Sequence, residues 1–137
     1  MNRTGLTVVE ILLTVSIMIL LLTLISPAYN YFQVSTRLNE ASAQLTQAVR
    51  LAHQRSLTGY NNSAHGIWLE VNTDNDRYVI YQGASYATRD TDYDRSQQLS
   101  TNVDLSFENL TLIDDDVDIN FSTGHGWPDN SGEIILT

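Results

Sequence analysis

From Leu6 to Ser26 the chain carries a run of twenty-one residues, LTVVEILLTVSIMILLLTLIS, in which Glu10 is the one formal charge. At about 1.5 Å of rise per residue, a helix of that length crosses a hydrocarbon core of roughly 30 Å, so a membrane span is expected. An ordinary secretory signal has a shorter apolar core, an abutting positive region and a small-residue cleavage site after it. Here the small residue, Gly5, precedes the run. A carboxylate near the centre of a membrane segment costs about 2.5 to 3.5 kcal/mol, so Glu10 calls for a cation. The run contains none. Cleavage after Gly5 would free an amino group on Leu6, about one helical turn from the carboxylate, and the amine of a neighbouring subunit could pair with it.

The segment Thr4-Gly5-Leu6-Thr7-Val8-Val9-Glu10 resembles the class III signal of type IV pilins and type II secretion pseudopilins, in which a short basic leader ends in Gly. The resemblance implies cleavage between Gly5 and Leu6 by a prepilin peptidase, N-methylation of Leu6, and Glu10 at the fifth mature position as the assembly residue. Leu6 stands where the family usually has Phe. Pro27, the twenty-second residue after the cut, matches a position where many pilins carry proline. Pro27 removes a backbone donor and crowds the preceding turn, so a kink or loosening of the helix is expected there.

Beyond Pro27 a helical period continues through Leu38, Ala41, Leu45, Ala48, Val49 and Ala52, with Arg37, Glu40, Gln44, Gln47 and Arg50 largely off that stripe. Gly59, Asn61 and Asn62 supply a stop. Short β-branched and aromatic segments follow: HGIWLEV and RYVIYQ around NTDND read as a hairpin. Further strands are expected over 103–107, 110–113, 118–122 and 133–136. The expected fold class is α+β, a pilin-like fold with a long N-terminal helix packed on a small antiparallel β-sheet. Its parts are a leader at 1–5, a transmembrane and filament-core helix at 6–26, an amphipathic continuation at 27–59 and a β-rich head at 60–137.

Most of 44–137 is similar, more narrowly, to the GspH/FimT family of minor pseudopilins and minor pilins, through LTQAVRLAHQRSLTGYNNSAHGIWLEV, YVIYQGASYATRDTDYD and INFSTGHGWPDNSGEIIL. Members commonly continue through one or two more strands after the segment corresponding to GEIILT, so either a smaller sheet or a truncated sequence is expected. The function implied is that of a structural subunit of a type II secretion pseudopilus or type IV pilus, as a minor component at the tip. Its partners would be the prepilin peptidase, other pilin or pseudopilin subunits, the inner-membrane assembly platform and, before assembly, membrane lipid. It would sit in the inner membrane by a single pass, with the head periplasmic or extracellular. The alternatives are a minor pilin that captures DNA or another ligand, and a signal-anchored extracytoplasmic binding protein.

Sixteen Asp and Glu stand against seven Arg and no Lys, for a net charge of -9. That field repels phosphate backbones, and the arginines are dispersed, so a nucleic-acid partner is not expected. Without cysteine, neither a disulfide, a thiolate metal site nor a cysteine nucleophile is available. Asp90, Asp92 and Asp94 alternate like the opening of a calcium loop, but Arg95 occupies the place of the sharp-turn Gly and Thr101 that of the bidentate Glu. A solvated acidic loop is the preferred reading, with calcium the minority one. Asp114, Asp115, Asp116 and Asp118 read as a solvated turn; chelation would need Asp74 or Asp76 to converge on them. His53, His65 and His125 lack zincin spacing, and no serine is framed by a nucleophile elbow, so no enzyme is expected. In RYVIYQ, Tyr78 and Tyr81 alternate faces, so at least one should turn outward. Trp127, in a glycine-rich turn, is the aromatic whose exposure matters most.

Overall fold

The computed structural model describes the chain from Thr7 onward, except residues 73, 74 and 101 and the side chains of 24–28. It is α+β. One α-helix, α1, spans Val8–Leu57, and seven strands follow: β1 His65–Glu70, β2 Arg77–Gln82, β3 Asp90–Gln98, β4 Leu105–Glu108, β5 Leu112–Ile113, β6 Asp116–Phe121 and β7 Glu133–Leu136. The chain divides into two compact units at Thr36 and Arg37.

In the first unit the apolar side chains are exposed from Val8 to Leu22. Thr7 caps the helix: its Oγ1 accepts the backbone N–H of Glu10 at 3.3 Å, which satisfies one of the orphan donors of the first turn.

In the second unit the expected stripe is the buried one. Ala41, Leu45, Ala48 and Ala52 are buried, with Leu38 and Val49 packed against the same core. Small residues at three of the four buried positions let the backbone approach the sheet closely, and burying Leu45 contributes about 1.5 to 3 kcal/mol. Past Leu57, Gly59 adopts φ +63° and its N–H returns to the Ser56 carbonyl at 3.0 Å. A left-handed residue at this point favours glycine and ends the helix.

The larger sheet has the order β3-β2-β1-β6-β5 and its strands pair antiparallel; β4 and β7 form a separate antiparallel pair. The expected hairpin forms with His65 opposite Gln82 and Glu70 opposite Arg77. Alternation sends Ile67 and Leu69 of β1, Tyr78 and Ile80 of β2, and Val117, Ile119 and Phe121 of β6 into the core beside α1. Trp68, Val79 and Tyr81 occupy the opposite face.

The structure departs from the sequence expectation at the two tyrosines and at 90–94. Neither Tyr78 nor Tyr81 turns outward: Tyr78 packs in the α1 core, and Tyr81 is covered on the other face by Trp68 and Tyr86. The segment 90–94 is not a loop but the start of β3, an edge strand pairing with β2 through a register shift between Ile80 and Gln82. Its charges lie on both faces, which suits an edge and leaves no hydrophobic period to read. The remaining strands fall within a few residues of their expected places, and β7 coincides with 133–136. The carboxylate run folds as a tight hairpin, with Asp114 and Asp115 at φ +52° and +72° between the paired Ile113 and Asp116, the two positive values of a type I′ turn.

Candidate functional site

The chemistry singled out at the N-terminus centres on Glu10. Gly5 and Leu6 lie outside the described residues, as does the side chain of Pro27, so the expected cut and kink are not in view; the backbone of α1 is helical through position 27. Among the described residues, no helix is long and apolar enough to cross a membrane. The described side chains of the run end at Thr23, and Leu6 and 24–26 of the expected span fall outside them.

Within that run the polar side chains divide sharply. The hydroxyl of Thr14 donates to the Ile11 carbonyl at 2.9 Å, that of Ser16 to Leu12 at 2.7 Å and that of Thr23 to Leu20 at 2.8 Å. Each is satisfied inside the helix and asks nothing of its surroundings. Glu10 is the remaining polar side chain between Val8 and Thr23. It occupies the third position after the Thr7 cap, so Thr7-Val8-Val9-Glu10 has the T-x-x-E pattern of a capping box, and its negative charge also suits the positive end of the helix dipole. The cap that Thr7 makes to the backbone of Glu10 is legible in that spacing.

In the head, two of the calcium candidates, Asp90 and Asp94, have other engagements through one oxygen each, while the second oxygen of Asp94 is buried without a hydrogen-bond partner. Asp94 pairs with Arg89 at 2.8 Å, and Asp90 accepts the N–H of Asp92 at 3.2 Å. The hydrogen bond to Asp94 raises the Arg89 pKa. Arg89 also donates to the Tyr86 carbonyl, and its guanidinium lies 3.7 Å over the Tyr86 ring, which stacks at 4.3 Å on Trp68. Among the described residues no three His, Cys, Asp or Glu side chains gather as a metal site; Asp74 and Thr101 lie outside them.

Asp76, Asp116 and Asp118 hold the fold. Asp116 accepts Val71 N–H at 3.0 Å. Buried Asp76 accepts the N–H groups of Asn72 and Leu105. Asp118 accepts the Tyr81 hydroxyl on one oxygen and the Tyr86 N–H on the other, while Asn120 donates its amide to the Tyr81 oxygen at 3.0 Å. Burial, then the bond to Asp118, pushes the Tyr81 phenol well above its ordinary range. A pocket of about 330 Å³ opens beside Asp118, Asp129 and Asn130. Its polar atoms are largely spoken for, since Asp129 accepts Asn120 N–H and Asn130 brackets Thr111.

The three histidines have separate settings. His53 meets the Phe121 ring edge-on at 5.4 Å, and exposed His125 lies in the glycine-rich turn. His65 is 1% exposed, and neither ring nitrogen has a hydrogen-bond partner at bonding distance. Burial, then the charge of Arg55, lowers its pKa below the usual imidazole value. Trp127 is 72% exposed, and its backbone N–H donates to the Ser122 hydroxyl oxygen at 3.0 Å.

No protein-family model, curated protein or solved structure matches this chain.

Proposed function

We propose that the protein is a prepilin-like structural subunit. It is held in the inner membrane by its N-terminal apolar helix, cleaved between Gly5 and Leu6 by a prepilin peptidase, and assembled as a minor component of a type II secretion pseudopilus or type IV pilus. What carries the reading is the solitude of Glu10: in a run whose hydroxyls are internally satisfied, one carboxylate remains.

A charge in so apolar a stretch is expensive unless paired, and the amine freed on Leu6 of a neighbouring subunit supplies the pair. The carboxylate then acts as a register device, because helices sliding to the wrong height would bury it alone. A long helix whose C-terminal part packs on an antiparallel sheet suits the same role.

The test is the intact mass and N-terminal peptide of the protein isolated from its own cells. A chain beginning at methylated Leu6 is the expected result. A chain still beginning at Met1, in cells with active prepilin peptidase, would overturn the reading.

A further inference from the structure

We propose that Tyr29, Tyr31 and Phe32 form an aromatic girdle that seats the outer part of α1 at the lipid–water interface and so sets the depth of Glu10 before assembly. This rests on the membrane-held subunit proposed above.

The three rings are 59%, 81% and 68% exposed. At about 100° per residue, Phe32 points about 60° to one side of Tyr29, while Tyr31 points about 160° away. A face built to dock on a protein would keep its aromatics at three- and four-residue spacings on one side. Tyr29 and Phe32 obey that rule and Tyr31 breaks it. A bilayer interface, by contrast, surrounds a helix on every side; aromatic side chains with a polar edge, here Tyr29 and Tyr31, concentrate there, and Phe32 adds an apolar ring at the same level.

Height along the helix supplies the second argument. From Glu10 to Tyr31 the rise is about 32 Å at 1.5 Å per residue, close to the roughly 30 Å of a hydrocarbon core. With the girdle among the outer headgroups, the carboxylate falls at the inner headgroups instead of in the hydrocarbon. Thr14, Ser16 and Thr23, which lie between the two levels, have hydroxyls bonded within the helix. Glu10 therefore needs its partner amine only when the subunit leaves the bilayer for the filament.

The chain has no cysteine, so single introduced thiols report depth without interference. The full-length protein carrying Thr14→Cys, Thr23→Cys or Val34→Cys is placed in vesicles of phosphatidylethanolamine and phosphatidylglycerol and treated with a membrane-impermeant maleimide. With the girdle intact, Val34→Cys labels about tenfold faster than Thr23→Cys. Adding Tyr29→Ala, Tyr31→Ala and Phe32→Ala together changes that ratio by about an order of magnitude, whereas Trp at all three positions preserves it. An unchanged ratio in the triple alanine variant, with Thr14→Cys and Thr23→Cys still protected, overturns the girdle and leaves the membrane-held subunit standing. Free labelling of Thr14→Cys and Thr23→Cys in the intact-girdle background overturns both.

Discussion

The ring of Tyr81 lies across Gly66, its cross-strand partner, so that a Cβ at position 66 would overlap the phenol. The absent side chain is thus part of the packing: Tyr81 reaches Asp118 and Asn120 over the space that Gly66 leaves open. Gly66→Ala should lower stability by about 1 to 3 kcal/mol in urea or thermal unfolding. Combined with Tyr81→Leu it should cost clearly less than the sum of the two single changes, because both act on one contact. An alanine variant as stable as the parent would contradict this placement of the ring.

Asp76 joins three parts of the head. Its carboxylate accepts Asn72 and Leu105 N–H groups while its backbone carbonyl accepts Leu99 N–H at 2.9 Å. Asp76→Ala strands the buried N–H of Leu105 and the part-buried N–H of Asn72 and should cost about 2 to 4 kcal/mol. Asp76→Asn keeps an acceptor and should cost less; equal losses in equilibrium unfolding would show that the acceptor is not what matters.

The setting of His65 predicts a head that loses stability in acid. Its folded pKa lies below the ordinary 6.5 because of burial and then Arg55. The unfolded chain therefore binds the proton more readily than the folded one. This contribution to stability is full above about pH 6.5 and is lost as pH falls from there towards the lowered folded value. His65→Leu should flatten the slope of unfolding free energy against pH in that window. A slope identical to the parent's would assign the acid sensitivity elsewhere.

The Thr7 cap on the backbone N–H of Glu10 and the proposed pairing of the Glu10 charge are separable by mutation. Thr7→Ala should weaken the first turn by about 0.5 to 2 kcal/mol while leaving filament incorporation intact. Glu10→Gln keeps the T-x-x-E/Q pattern but loses the charge, and should leave cleavage intact while abolishing efficient assembly. Filament fractions from cells making each variant decide the matter: normal incorporation of Glu10→Gln would refute the pairing mechanism.

Trp68 and Trp127 are the two tryptophans, one buried and one exposed. The Trp68→Phe protein should emit at the long wavelength of a solvated indole, and the Trp127→Ala protein at a shorter one. Trp127→Ala should change stability by no more than about 0.5 kcal/mol. Quenching by iodide that is equal for both indoles would contradict the assignment.

Where the chain buries one continuous stripe, the sequence was easy to read: Ala41, Leu45, Ala48 and Ala52 repeat at helical spacing, and β7 was placed to the residue. The misreadings have physical causes. Alternation separates Tyr78 from Tyr81 correctly, but it says nothing of what covers each face. The cover over Tyr81 comes from Trp68 on another strand and Tyr86 in the turn after β2. Strand β3 was invisible because pairing with β2 through the backbone defines it, and its side chains are polar on both faces. At Glu10 the cost of a charge in an apolar run dominates the sequence, whereas the cap from Thr7 to its backbone N–H shows only in the T-x-x-E spacing.

Strand β3 ends the larger sheet and carries Asp90, Asp92 and Asp94. Asp94 is already paired with Arg89, so two copies meeting there would set Asp90 and Asp92 against their twins, and that repulsion opposes the backbone pairing that would otherwise zip sheets together. A second copy approaching this flank would therefore have to turn aside or meet it with something positively charged.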